Sequence, residues 1–303
     1  MFAEVENNPF KQRRSGSRWI ILTLVIAIIL FLVIFISFSA MSSFDASPLA
    51  KKQIGVINIE GVIIDSKDIV EWTEKLEKDN NITAVLVRVN SPGGAVTPSQ
   101  EIFYALERLA AKKPMVASMG TLAASGGYMV CLPATHIVAM PSTLTGSIGT
   151  RMDLSNLSGL MGKIGIANET LASGEMKDAG SPYRPLSEKD RAYFMGMLQD
   201  MQDQFLESVV SHRKLSEAEA KLVSDGRAFT GRQAKEYKLV DSLGDKQDAV
   251  NLLQNMSGSV EILPLKEGPP KKTNFMEKMF ESVLTAKRNV ELGLSRHSAF
   301  FYY

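Results

Sequence analysis

The sequence predicts an α/β protein, a mainly parallel sheet with crossover helices, preceded by one transmembrane helix. Three observations carry this. No charged residue occurs from Trp19 to Phe44. Between Ile54 and Ser118, β-branched runs alternate with amphipathic stretches, the pattern of parallel strands joined by right-handed crossovers. Gly-rich turns follow the ends of those runs. A chain of 303 residues, 45% of them hydrophobic, can bury one substantial core or two small ones without disulfides or metals.

The first element is the apolar run, almost wholly Ile, Leu, Val and Phe from Trp19 to Phe38. About 20 apolar residues cross a hydrocarbon core of roughly 30 Å, whereas the apolar region of a cleaved leader holds only about 7 to 15. Residues 19–43 are therefore expected to be a transmembrane anchor; a removable leader ending near Ala40 and a buried soluble helix are the alternatives. Lys11, Arg13, Arg14 and Arg18 precede the run, and Asp45 is the first charge after it. Positive charge stays inside, so residues 1–18 are expected in the cytoplasm of a bacterium, with the anchor in its inner membrane. Everything after the linker 44–52 would then be periplasmic or extracytoplasmic.

The remaining elements follow in order. Ile54 to Ile64 reads as a strand, Ile69 to Lys78 as an amphipathic helix, and Ala84 to Asn90 as a second strand. Pro98 to Lys112 reads as a helix with Thr97 as N-cap and Pro98 at its first position, and Met115 to Ser118 as a third strand. A strand at His136 to Met140 precedes the Gly-punctuated stretch Thr143 to Thr150, and an apolar segment surrounds Ile164 to Leu171. From Ser187, which has Asp190 three residues on, a helical pattern runs to about His212, with shorter helices at Ser216 to Val223 and Gly231 to Tyr237. The folded domain is assigned to 53–265. Residues 266–303 are assigned to a linker, an amphipathic helix at Asn274 to Leu292, and an apolar tail.

Composition narrows the function classes. A net charge of +1 provides no basic field, so nucleic acid is not an expected partner. Cys131 is the single cysteine, which rules out an intrachain disulfide and a Cys-based zinc site. His136, His212 and His297 lack the close spacing of a helical metal motif. No metal and no cofactor is expected.

Three turns remain: Ser91-Pro92-Gly93-Gly94, Ala124-Ser125-Gly126-Gly127 and Thr145-Gly146-Ser147-Ile148-Gly149. Each falls at a strand end, where ligands gather in α/β sheets and where glycine admits close backbone approach. Taken singly, any one of them reads as simple chain reversal. Ser125 stands between Ala124 and Gly126, so no bulky neighbour obstructs an incoming carbonyl; the placement resembles a nucleophile elbow without matching its G-x-S-x-G consensus. A serine hydroxyl needs a base. His136 reads as a satisfied core residue on an apolar strand, and His212 and His297 sit in polar helical stretches; a lysine can serve instead if burial or neighbours keep it neutral. Bringing a lysine from about 10.4 to near 7 costs roughly 4 to 5 kcal/mol.

Asn90-Ser91-Pro92-Gly93-Gly94, Ala123-Ala124-Ser125-Gly126-Gly127-Tyr128, Thr145-Gly146-Ser147-Ile148-Gly149 and Ser173-Gly174-x-x-Lys177-Asp178 together resemble the signal peptide peptidase A family. The resemblance covers roughly residues 52 to 250, including Asp225-Gly226-Arg227-Ala228-Phe229-Thr230-Gly231. It implies a ClpP/crotonase-like core and a Ser-Lys dyad serine peptidase, with Ser125 as nucleophile and Lys177 as general base. It further implies that Ser147 orients the lysine amine and that the amides of Gly94 and Gly126 form an oxyanion hole. Physical reading of the residues alone does not select Lys177. The chain carries each dyad residue once, like the short members of the family, which implies a homo-oligomeric ring whose sites are completed between protomers. Signal peptides and other apolar peptides are the implied substrates. Two rival readings are a crotonase-like acyl-CoA enzyme and a non-catalytic membrane scaffold of the same fold.

Overall fold

The computed structural model describes residues 22–34, 51–259 and 261–270. Residues 22–34 form one helix, α1, with exposed side chains. Among the described residues no helix is long and apolar enough to cross a membrane. The rest of the expected span 19–43 lies outside them, as do the expected helix at 274–292 and the apolar tail.

The domain that follows is built on an eight-stranded sheet. Its first half alternates β1 (Gln53–Glu60), α2 (Lys67–Lys78), β2 (Ile82–Ser91), α3 (Val96–Ala110) and β3 (Met115–Ala124). The short helix α4 (Gly126–Met129), β4 (His136–Ala139), β5 (Leu144–Gly146) and α5 (Ser158–Lys163) come next. A 3-10 turn at Glu175–Asp178 leads to the long α6 (Glu188–Arg213). The chain closes with α7 (Glu217–Val223), β6 (Ala228–Thr230), α8 (Gly231–Glu236), β7 (Ser242–Leu243), α9 (Lys246–Met256) and β8 (Leu265–Gly268). The sheet order is β6-β5-β3-β2-β1-β8, with β4 on β3 and β7 on β4. Every pairing is parallel except β5 with β6.

The central strands are buried on both faces, and their side chains divide with period two. Ile57, Ile59, Val85, Val87, Val89, Met115, Ala117 and Met119 belong to the larger core, with Leu76 of α2, Ile102 and Leu106 of α3, and Phe205 and Val209 of α6. Ile54, Val56, Ala84, Leu86 and Val116 point the other way, onto Ala249 and Leu253 of α9. That second face needs a cover, and α9 supplies it; no helix is expected there from the sequence pattern.

Several boundaries differ from expectation. Helix α3 starts at Val96 with Ala95 at the cap, not with Thr97 capping Pro98. An isolated parallel bridge pairs Ile63 with Gly94, in which the Ala95 N–H donates to the Ile63 carbonyl at 2.7 Å and so fixes the helix start two residues earlier. Pro98 is still tolerated, because first-turn amides have no intrahelical acceptor. The apolar stretch Ile164 to Leu171 forms no strand and stands exposed, Leu171 at 92%; Gly165, Asn168, Glu169 and Thr170 interrupt it. Strand β8 pairs with β1, so the sheet extends beyond Leu265 into the stretch read as linker.

Strand β3 organises the rest. Its first half pairs with β4, Val116 to Ser118 against His136 to Val138, and its last three residues pair with β5, Leu122 to Ala124 against Leu144 to Gly146. Changing partner along its length brings the Gly-rich turns after β3 and β5 side by side.

Where α6 ends, Arg213 makes a bidentate pair with Asp241, at 2.7 and 3.0 Å, and donates to the Lys238 carbonyl at 2.8 Å. The Asp241 carboxylate also accepts from the Ile137 N–H of β4 at 2.7 Å. Burial pushes the Asp241 carboxyl up, but the Arg213 and Ile137 hydrogen bonds outweigh it and hold it below the usual range. We expect Asp241→Ala to lower stability by about 2–3 kcal/mol, because Arg213, whose side chain is 9% exposed, would be left buried without a counter-charge. A urea midpoint at pH 7 measures this. The native carboxyl titrates below its unfolded value near 3.9, so its contribution is fully present above about pH 5 and is lost as pH falls through the depressed native value. The wild-type advantage should therefore shrink in acid.

Candidate active site

Ser125 joins β3 to α4 with φ 54 and ψ −126, a conformation that costs a non-glycine residue on the order of 1–3 kcal/mol. Backbone bonds hold it there. Its N–H donates to the Gly146 carbonyl at 2.8 Å, and its carbonyl accepts from Tyr128 at 2.8 Å and Met129 at 3.0 Å. The hydroxyl makes no capping bond to the helix that follows. This strand, strained turn and helix is the structural context a nucleophile elbow requires.

The neighbouring turns are packed to match. Gly93 has φ 88, and a Cβ there would lie 2.6 Å from the Gly126 nitrogen and 3.0 Å from the Ser125 Cβ, so only glycine lets the two turns touch. The buried Ser91 hydroxyl accepts from the Gly93 N–H at 3.0 Å. Tyr128, fully buried, anchors α4 by donating to the Leu239 carbonyl at 2.9 Å, and burial pushes its phenol well above the ordinary value, so it stays a neutral donor. Thr145 ties β5 to β3 by donating to the Ala123 carbonyl at 2.7 Å.

Gly94, Ser125 and Gly126 line one small cleft of about 30 Å³. Its apolar wall comes from Val96, Met129, Met201 and Phe205, and no charged side chain lines it. In the parallel bridge, the Ile63 N–H donates to the Gly93 carbonyl at 2.9 Å and the Ile63 carbonyl accepts from Ala95. The Gly94 N–H therefore points away from that bridge.

Ser147 is half-buried with φ 50, and its N–H donates to the Arg227 carbonyl at 2.9 Å. It directly follows Gly146, the acceptor of the Ser125 amide. Lys177 is placed elsewhere. It sits exposed on the 3-10 turn and is not among the residues lining the Ser125 cleft. One chain thus assembles Ser125, Gly94 and Gly126 around a single cleft and leaves Lys177 outside it. His136 hydrogen-bonds Ser242 at 2.9 Å, a satisfied sheet residue. Among the described residues no group of His, Cys, Asp or Glu side chains is placed to hold a metal ion.

Sequence reasoning misses the α6 contribution to the cleft. Met201 and Phe205 lie four residues apart on one helix face, a spacing that reads as ordinary core, and only the tertiary fold brings them to Ser125.

Comparison with known proteins follows the same residues. The model of peptidase family S49 matches residues 107–259, just over half the chain and a stretch that includes Ser125, Ser147 and Lys177. A protein of Methanocaldococcus jannaschii named "Putative protease" is 40% identical over 64% of this chain and 62% of its own length. The "Putative signal peptide peptidase SppA" of Enterococcus faecium is 33% identical over 68% of this chain and 64% of its own. The matched stretch thus spans less than two thirds of either relative. A ClpP1 mutant structure from Listeria monocytogenes aligns at 16% identity over 64% of this chain and 93% of that one, with a TM-score of 0.44, too loose a likeness to carry argument. The extent of the family match, with relatives of the SppA type, places this chain in peptidase family S49.

Proposed function

We propose that this chain is a membrane-anchored serine endopeptidase of the signal peptide peptidase type, acting through a Ser-Lys dyad on a ClpP/crotonase-like core. The observation that carries the reading is Ser125 on its strained turn, in an uncharged cleft that Gly94 and Gly126 also line. In the reaction, neutral Lys177 Nζ takes the proton of Ser125 Oγ as that oxygen attacks the peptide carbonyl, and Ser147 orients the amine. The amides of Gly94 and Gly126 hold the oxyanion; one such donor is typically worth about 2.7 to 4 kcal/mol. Lysine passes the proton to the departing amine, leaving an acyl-enzyme on Ser125. It then deprotonates water, which releases the acid and restores the serine.

Apolar peptides, cleaved signal peptides among them, fit a cleft walled by Val96, Met129, Met201 and Phe205. We assign the anchor to residues 19–43 of a bacterial inner membrane, with the N-terminus cytoplasmic and the peptidase domain on the far side. The uncharged run and the cations before it support this.

The base is taken to come from a neighbouring copy in a homo-oligomeric ring. Supporting this, Lys177 stands outside its own chain's cleft, and Met152, Leu154, Leu160, Ile164 and Leu171 of the surrounding segment are exposed apolar residues. The test is peptide cleavage by Ser125→Ala, by Lys177→Ala, and by the two co-assembled. Each alone should be inactive, and the mixture should recover about a quarter of wild-type activity, because random mixing pairs an intact serine with an intact lysine at that fraction of sites. A mixture as inactive as its components would overturn the shared site, and an active Lys177→Ala enzyme would overturn the base.

A further inference from the structure

The turn that carries Lys177 is held by an arrangement that the dyad itself does not require. Arg184 donates Nε to Asp178 Oδ2 at 2.6 Å and Nη2 to the Asp178 carbonyl at 2.9 Å. Its other nitrogen, Nη1, reaches Asp190 Oδ2, and Nη2 lies 3.3 Å from Asp190 Oδ1. Asp190, 3% exposed, is itself fixed by the capping box of α6: its carboxylate accepts from the Ser187 N–H at 3.0 Å, and its N–H donates to the Ser187 hydroxyl at 3.1 Å. One guanidinium therefore clamps both the carboxylate and the carbonyl of the residue after Lys177 to the first turn of α6.

We propose that Arg184 is a positioning residue for Lys177, occupying the adjacent Asp178 carboxylate so that it cannot pair with the lysine ammonium, and tying the lysine turn to α6. This rests on the reading of Lys177 as the base.

The charged groups around the turn favour this assignment. On the turn itself stand Glu175 and Asp178. Glu175 is engaged by Lys189 of α6, and Asp178 by Arg184. Helix α6 also presents Glu188, Asp190 and Arg191 in its first turn, with Asp190 taken by Arg184. Residues 154–157, joined to the stretch after the turn by the Leu157 N–H on the Pro182 carbonyl, are preceded by the exposed pair Arg151–Asp153. Asp178 and Glu175, the two carboxylates closest to Lys177 in the chain, are thus both neutralised by other cations. A free carboxylate beside an amine favours the ammonium, which cannot accept the serine proton. A planar fork with several donors holds a carboxylate and a carbonyl together in a way that a lysine cannot. The arrangement suits a site that needs its lysine neutral.

The experiment is the pH dependence of kcat/KM for the full chain, wild type against Arg184→Gln, Arg184→Gln/Asp178→Asn, and Lys177→Ala. Arg184→Gln should move the acidic limb upward by about one pH unit or more, so that activity falls roughly tenfold on that limb and recovers above it. The double variant lacks the clamp equally but has no carboxylate to release, so its limb should return to within about 0.3 unit of wild type. A merely structural role for Arg184 cannot produce that rescue. If Arg184→Gln does not accumulate as folded protein, Arg184→Lys, which keeps a cation but loses the fork, should show a smaller shift in the same direction. An unmoved limb in the single variant, or a double variant that matches it, overturns the proposal while Lys177→Ala stays inactive; an active Lys177→Ala enzyme overturns the base and the proposal together.

Discussion

Ser125→Ala is expected to lower kcat/KM for peptide hydrolysis by about 10⁵- to 10⁶-fold, since a nucleophile and its base act as a unit and the remaining cleft cannot substitute for the missing oxygen. Ser125→Gly should be equally inactive, yet the two variants should differ in stability. The backbone at this position has φ 54 and ψ −126, which alanine tolerates no better than serine, whereas glycine adopts it freely. Release of about 1–3 kcal/mol of strain is partly offset by the roughly 0.5–1 kcal/mol that glycine loses in ordering, so Ser125→Gly should be more stable than Ser125→Ala by about 1 kcal/mol. Urea midpoints of the two proteins read that difference directly. Equal midpoints would mean that the turn is not strained. Retained peptidase activity in either variant would remove Ser125 as nucleophile.

What the sequence makes legible is whatever repeats locally. The period-two burial of Ile57, Ile59, Val85, Val87 and Val89 follows from β-branched runs, and the Ser187–Asp190 capping box falls where the helical pattern begins. Helix α9 carries comparable marks, with Asp245 capping through Asp248 and Ala249, Leu253 and Met256 on one face. It escapes notice because its apolar stripe is short. Strands buried on both sides nevertheless demand a helix on the second face, and Ile54, Val56, Ala84 and Leu86 show that one is needed. Features set by non-local contact are not legible. The start of α3 depends on Ile63, 31 positions before Gly94, and the cleft wall at Met201 and Phe205 depends on how α6 crosses the sheet end. Ser125 is visible through its small neighbours, but its strained backbone depends on Gly146 of another strand. Lys177 comes only from resemblance, and the fold of one chain leaves it outside the cleft, so no argument from a single chain's residues would pair it with Ser125. Arg184 is invisible for a simpler reason: six residues beyond Asp178, on an irregular stretch, nothing in spacing says which carboxylate it will take.

Gly94→Ala should separate the proposed oxyanion role of this loop from general stability. A Cβ at this position would stand 2.0 Å from the Ile63 carbonyl oxygen and 2.7 Å from its carbon and nitrogen. These are backbone atoms, which cannot swing aside as a side-chain tip can, so the Ile63–Gly94 bridge must open. The bridge is what aims the loop: with Ile63 bonded to Gly93 and Ala95, the Gly94 amide is left facing away from it, and Gly94 lines the cleft of Ser125. Displacing that amide should cost about 10²- to 10³-fold in kcat with a smaller change in KM, because the donor is worth most when the oxyanion forms. Overpacking should cost about 1–3 kcal/mol of stability as well. Gly61→Ala supplies the control. Gly61 has φ 71, and a methyl group there would meet nothing within 4 Å, so alanine should cost about 1 kcal/mol through backbone strain alone and leave kcat unchanged. If Gly94→Ala were destabilised by the expected amount while kcat stayed within about threefold of wild type, its amide would not be an oxyanion donor, and the second donor would have to be sought elsewhere along the cleft.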